Sequence, residues 1–257
     1  MLTLNQIHKT YNQGSINETT LFTGFNLTVA EGQFISIVGS NGSGKSSMLN
    51  IICGSIAIDS GNILLRNKDI TNIKEHQRSE FIGRVFQDPA KGTCPSMTIL
   101  ENMSLADNKG KVFGLLAGVN KKRTDYYKSQ LEQLKLGLED KINVPVGALS
   151  GGQRQALALL TSTMTPIDLL ILDEHTAALD PKTSENIMEL TDHIVKSKGI
   201  TTLMVTHNLR FAVNYGDRIL MMHEGNAVID ATAGEKQKIG ISKLLEVFNE
   251  ISIECGN

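Results

Sequence analysis

The sequence predicts an α/β fold built on a mostly parallel sheet, and three observations carry that prediction. Short apolar runs of strand type alternate with helical periodicity before residue 95 and again after residue 147. A glycine-rich loop, Gly39–Ser46, follows one such run and opens into a helix. A second run, Leu169-Leu170-Ile171-Leu172, ends in two acids, Asp173 and Glu174, and strands of a buried parallel sheet present ligands at that end.

The elements follow in order. Leu2, Leu4 and Ile7 precede Tyr11 in a first strand, and residues 12–20 form a polar loop. Phe25, Leu27 and Val29 alternate with polar residues, as in a half-buried strand. Glu31-Gly32 turns the chain into a buried run at 34–38. The loop at 39–44 ends that run, and a helix over 46–53 follows. Residues 62–65 and 81–86 are further short strands. Pro89, Pro95 and Pro145 bracket a stretch in which Tyr127, Leu131, Leu134 and Leu138 recur at helical spacing. About 96–146 therefore reads as a helical lobe set into an α/β core of about 1–95 and 147–257, all one domain. Residues 169–172 and 202–205 are buried strands, and 181–198 is a helix with Pro181 at its start.

Composition narrows the function classes. The 257 residues are 40% hydrophobic before 23 Gly are added, which excludes disorder for the bulk of the chain. That length sits near the limit for a single core. With 25 Lys+Arg against 27 Asp+Glu, the formal charge is −2, and the basic footprint of nucleic-acid binding is missing. Cys53, Cys94 and Cys255 are far apart without a CxxC pair, which argues for a reducing compartment and against zinc or a disulfide framework. The opening MLTLNQIHKTYNQG is too polar for a secretory leader, and no window approaches the ~18 apolar residues of a membrane span. The chain reads as soluble, and work at a membrane needs a span from another chain.

Gly39-Ser40-Asn41-Gly42-Ser43-Gly44-Lys45-Ser46 fits the phosphate-loop pattern G-x-x-x-x-G-K-[ST]. Glycines let backbone N–H groups curl around anionic oxygens, and the next helix points its positive end at them. Lys45 adds a point charge and Ser46 a hydroxyl for Mg2+. About 0.02 chance matches are expected in such a chain. Asp173 and Glu174 alone would pass for a solvated turn; beside a phosphate loop they read as a holder of Mg2+ through water and a residue that polarises the attacking water.

Leu149-Ser150-Gly151-Gly152-Gln153 resembles the signature of the nucleotide-binding subunits of ATP-binding cassette (ABC) transporters, and the pieces stand in that family's order from Tyr11 to about Met221. The resemblance implies a phosphate-loop NTPase core with a mostly parallel sheet, an antiparallel β edge and the inserted lobe. It implies that residues Gly39 to Ser46, with Ser47, hold ATP phosphates and that Ser46, Asp173 and Gln87 attend Mg2+. Glu174, His207 and Gln87 take the catalytic positions. Two cassettes, two copies or paralogues, pair head to tail, so Ser150, Gly151, Gly152 and Gln153 of one meet the γ-phosphate held by the other. Tyr11 resembles the aromatic that stacks on adenine, or is a plain strand-end tyrosine; its distance from the loop is long because residues 12–20 carry an insertion. Asp180 resembles a residue that communicates between the two sites, or caps the helix at Pro181. Ser150 equally suits a helix cap. His175 stands where the family more often has Pro or Ala; His8, His76, His193 and His223 read as ordinary side chains.

The implied role is an ATPase at the cytoplasmic face of a bacterial membrane, driving a separate permease, with a substrate-binding protein as a further partner. A stand-alone cassette suits import, and the stretch DEHTAALDPKT resembles cassettes of amino-acid-type uptake. The alternative is a non-transport ABC ATPase; those usually carry two fused cassettes or long coiled-coil inserts, and this chain has one cassette and a short lobe. A regulatory module without catalysis is disfavoured by the presence of both Glu174 and His207.

Overall fold

A computed structural model describes residues 1–111, 118–236 and 244–247. The expected lobe is therefore described apart from 112–117, and Cys255 lies outside the described residues. The chain opens with β1 (Leu2–Tyr11) and β2 (Thr19–Val29), continues through β3 (Phe34–Gly39) into α1 (Lys45–Cys53), and adds β4 (Ser60–Leu65) and β5 (Lys68–Asp69). After α2 (Glu75–Arg78) and β6 (Ile82–Val85) come α3 (Ile99–Asp107) and α4 (Thr124–Glu132). Then follow α5 (Gly151–Ser162), β7 (Leu169–Asp173), α6 (Pro181–Lys198), β8 (Thr201–Val205), α7 (Leu209–Asn214), β9 (Arg218–His223) and β10 (Asn226–Thr232).

Two sheets result. One is antiparallel, in the order β2-β1-β4-β5; the other runs β10-β9-β3-β8-β7-β6. In the second, β9, β3, β8, β7 and β6 pair in parallel and β10 adds an antiparallel edge. The expected mostly parallel core with an antiparallel edge is the fold observed.

Alternation along β7 places its side chains on two faces. Leu169 and Ile171 pack with Met48, Leu49 and Ile52 of α1 and with Leu4 and Leu27 of the antiparallel sheet. Leu170 and Leu172 pack with Leu159 of α5 and Met188 and Val195 of α6. Both faces are covered, so β7 reads as a continuous apolar run. The first strand breaks its period of two between Leu4 and Ile7. There Gln6 has φ +48°, and pairing with β2 slips by a bulge. The slip returns Ile7 to the core side, where it is buried.

The lobe has a core of its own around Ile99, Met103, Tyr127, Leu131 and Leu138, closed by Ala156 and Leu157 of α5. Helix α5 thus serves both halves. The periodicity read over Tyr127, Leu131, Leu134 and Leu138 overstates one helix: α4 ends at Glu132, and Lys135 has φ +55°. All four side chains are nonetheless buried. The polar loop read over 12–20 is shorter, because Tyr11 and Thr10 already pair with Thr19 and Thr20.

Candidate functional site

The register of three parallel strands gathers the chemistry. Ile37 of β3 lies opposite Val205 of β8, and Val205 lies opposite Asp173 of β7. The loop after β3, the acids after β7 and His207 after β8 therefore emerge side by side at the carboxyl ends of the sheet, where open α/β sheets place ligands. Two backbone bonds lock the seam: Thr206 N–H donates to Ile37 O at 3.1 Å, and Glu174 N–H to Val205 O at 3.0 Å.

Helix α1 differs at its start from α3, α5 and α6. Helices α3 and α5 carry capping boxes from Thr98 and Glu101 and from Ser150 and Gln153, and Asp180 caps α6. The N-cap of α1 is Gly44, at φ +101°, with no side-chain cap. Its first i−4 bond is Met48 N–H to Gly44 O at 2.8 Å, so the earlier amides have no acceptor within the helix. These amides and the helix dipole favour an anion. Residues 41–47, with Glu174 and His207, line a hollow of about 150 Å3 there. Gly39 has φ +150°, and a Cβ on it would stand 2.2 Å from Met222 O and 2.9 Å from Ser43 Oγ. Only glycine lets the loop begin this close to β9.

Lys45 is 5% exposed, and its ammonium donates to Gly39 O at 2.8 Å and Ser40 O at 2.7 Å. Burial pushes its pKa down, and the Glu174 carboxylate pushes it back up. Glu174 has φ +50°, a left-handed conformation that costs a non-glycine residue about 1 kcal/mol and is common at active sites. Its Oε1 lies 2.8 Å from His207 Nε2. His207 is half-exposed and set by its neighbours: Thr206 Oγ1 accepts the Asn208 N–H, and Asn208 caps α7 through the N–H groups of Arg210 and Phe211.

Asp173 Oδ2 accepts from Arg84 Nη2 at 2.8 Å. Among the described residues no three His, Cys, Asp or Glu side chains form a metal cage. Mg2+ in nucleotide sites takes one or two protein oxygens and completes its shell with phosphate and water. The exposed Ser46 hydroxyl and the Asp173 carboxylate are a donor set of that kind.

Other expected residues lie elsewhere. Gln87 is exposed and lines a separate hollow of about 440 Å3 with Gly151, Arg154, Gln155 and Leu179; it is not among the residues around the phosphate hollow. Ser150 accepts the Gln153 N–H at 3.3 Å, and Gln153 Oε1 accepts the Ser150 N–H at 3.2 Å. The capping reading of Ser150 holds, and within one chain no signature residue lines that hollow. Asp180 caps α6 by accepting the Thr183 N–H at 3.1 Å, and hydrogen bonds from the Thr183 hydroxyl and amide hold its carboxyl below the usual range. Tyr11 is half-buried at the end of β1, with the Lys9 ammonium 5.5 Å from its ring centroid.

Two features escaped sequence reasoning, the buried setting of His175 and the role of Arg84. His175 is buried, with Nε2 3.2 Å from Thr191 Oγ1, and burial lowers its pKa to about 4. A histidine after two acids gives no sign of this. Arg84 had a visible signal, a charge inside the four-residue strand Ile82–Val85.

Comparison with known proteins agrees with this fold. The ABC transporter family profile matches residues 22–177. The tyrosine transport ATP-binding protein of Clostridioides difficile is 47% identical, over 96% of this chain and 98% of its own length. The methionine import ATP-binding protein MetN of Vibrio vulnificus is 32% identical over 91% of this chain, which spans 66% of that relative. Among solved structures, a dimeric ATP-binding cassette in a post-hydrolysis state with ADP and phosphate superposes with a TM-score of 0.76 at 31% identity, covering 91% of this chain and 99% of that one.

Proposed function

This chain belongs to the ABC transporter family as an ATP-binding, ATP-hydrolysing subunit, and from that premise we propose that it powers import of an amino-acid-type solute through a separate membrane permease. The reading is supported by the separation of two half-sites on one chain. Residues 41–47, Glu174 and His207 surround the phosphate hollow, while Ser150 and Gly152 open the helix α5 outside it. A nucleotide held by one chain is then closed in by Ser150, Gly151, Gly152 and Gln153 of a second copy, or of a paralogous cassette, docked head to tail.

In that complex the amides of Gly39 to Ser47 and the Lys45 ammonium bind and neutralise the phosphates of ATP. Ser46, Asp173 and Gln87 would hold Mg2+, which would offset charge on the phosphates. Glu174 orients and polarises the attacking water, and its bond to His207 sets the carboxylate facing the hollow. His207 contacts the γ-phosphate, Tyr11 stacks on adenine, and Asp180 carries the state of one site to the other. Phosphoryl transfer needs positioning and charge neutralisation more than covalent chemistry, and these residues supply both.

Among the described residues no helix is long and apolar enough to cross a membrane. The permease supplies the path and the cargo choice, a substrate-binding protein delivers the solute, and the chain works at the cytoplasmic face of the bacterial membrane. Nucleic acid has no part in it. The near full-length likeness to a tyrosine transport protein supports an amino-acid cargo.

A mixing experiment tests the composite site. Lys45→Ala removes a chain's own phosphate contact, and Ser150→Arg blocks what it lends. Each variant alone is expected to be inactive, and a defined heterodimer of the two to recover hydrolysis from its one intact site. A monomer with full activity at any dilution refutes assembly in trans, and a silent heterodimer refutes either assembly in trans or the sufficiency of one intact site. Uptake of labelled tyrosine, methionine and spermidine in cells with and without the chain tests the cargo. Loss of spermidine uptake alone overturns the amino-acid reading and leaves the ATPase assignment standing.

A further inference from the structure

Strand β6 is short and mostly buried, yet its third residue is charged. The Arg84 side chain is 15% exposed, and its guanidinium divides between two elements. Nη1 donates to Asn50 Oδ1 at 2.8 Å, and Nη2 donates to Asp173 Oδ2 at 2.8 Å. The Phe86 ring centroid lies 4.6 Å from the guanidinium carbon. Asn50 is on α1, the helix that begins with Lys45, and Asp173 ends β7. One planar group therefore ties together β6, the phosphate-loop helix and the acid.

A charge this far from water is costly unless its partners are fixed. Arginine suits the place because its donors leave one rigid plane in several directions, whereas a lysine offers a point charge on a flexible stem. Stacking on Phe86 sets the tilt of that plane. With Oδ2 engaged by Nη2, rotation of the Asp173 carboxyl is restrained, and Oδ1 is the oxygen not taken by Arg84. Partners of this kind orient metal-binding carboxylates, and their loss costs 10–100-fold in metal affinity or activity.

We propose that Arg84 is a positioning residue, holding the Asp173 carboxylate in the orientation that receives Mg2+ and fixing it to the phosphate-loop helix through Asn50. The proposal rests on the reading of Asp173 as the Mg2+ carboxylate. Arg84 acts through the groups it bonds, Asp173 and Asn50.

The test is a Mg2+ titration of fluorescent ATP-analogue binding, with binding in excess chelator as reference. Arg84→Met keeps the stem and removes both bonds; it is expected to raise the half-saturating Mg2+ concentration about 10-fold and to leave metal-free nucleotide affinity unchanged. Arg84→Lys can serve one acceptor and is expected to fall between the two. Thermal unfolding identifies folded variants, and Arg84→Lys carries the test if Arg84→Met does not fold. Loss of metal-free and metal-dependent binding in equal proportion means a structural role only and overturns the proposal. So does an unchanged or lowered Mg2+ requirement in a folded variant while Asp173→Asn raises it. If Asp173→Asn itself leaves the requirement unchanged, the reading of Asp173 fails, and the proposal with it.

Discussion

Replacing Gly152 by alanine separates packing from chemistry at the start of α5. A Cβ built there lies 2.4 Å from Thr183 Cγ2 on α6, where carbon atoms prefer about 3.5–4.0 Å. Either the two helices part by roughly 1 Å or Thr183 turns its methyl away. Turning is opposed, because the Thr183 hydroxyl and amide both bond to Asp180. Overpacking costs about 1–3 kcal/mol, and alanine in a helix recovers up to about 1 kcal/mol relative to glycine. The expected net loss is about 1 kcal/mol, a fall in Tm of roughly 2–4 °C for a chain of this size. Thr183→Ser deletes the methyl and keeps the hydroxyl, so in that background the alanine should be neutral or stabilising. Thermal unfolding of the four proteins of this double-mutant cycle measures the coupling, expected at about 1–3 kcal/mol. Equal effects of the alanine in both backgrounds would refute the steric argument. ATPase activity gives the second reading. If the α5 start also meets a partner's phosphate, the double variant regains stability without regaining hydrolysis.

Glu174→Gln keeps the size of the side chain and a hydrogen bond to His207, so ATP binding should persist while turnover falls about 10²–10⁴-fold; steady-state phosphate release with a nucleotide-binding control checks this, and near wild-type hydrolysis removes Glu174 from its role. The same variant should elute as an ATP-dependent dimer in size-exclusion chromatography. Tyr11→Ala should weaken nucleotide binding by about 1–3 kcal/mol if adenine stacks on the ring, and an unchanged affinity in titration calorimetry returns Tyr11 to a strand-end role. His175 has a folded-state pKa of about 4 against an ordinary 6.5. The unfolded chain binds more protons between those values, so stability is full above pH 6.5 and is lost as pH falls toward 4, by about 3 kcal/mol. Chemical denaturation of metal- and nucleotide-free His175→Gln should show a flatter acid slope than the parent, and an unchanged slope refutes the assignment.

The sequence by itself determined what depends on neighbours along the chain. Short apolar runs located β7 and β8, the pair Asp180-Pro181 marked the start of α6 to the residue, and the spacing of Gly39, Gly44 and Lys45 defined the phosphate loop. These are local effects of side-chain periodicity, capping and backbone freedom. Within a few residues the same logic reached its limit at α4, where buried leucines continue past the helix because the lobe core, rather than one helix face, sets their spacing. Tertiary structure alone decided which distant groups meet. The register of β3, β8 and β7 brings Lys45, Glu174 and His207 around one hollow. Pairing of β6 with β7 sets Arg84 against Asp173, and the crossing of α5 over α6 makes Gly152 a packing residue as well as a signature residue. Such contacts join positions tens of residues apart, and they depend on strand register and helix crossing, which no local pattern encodes.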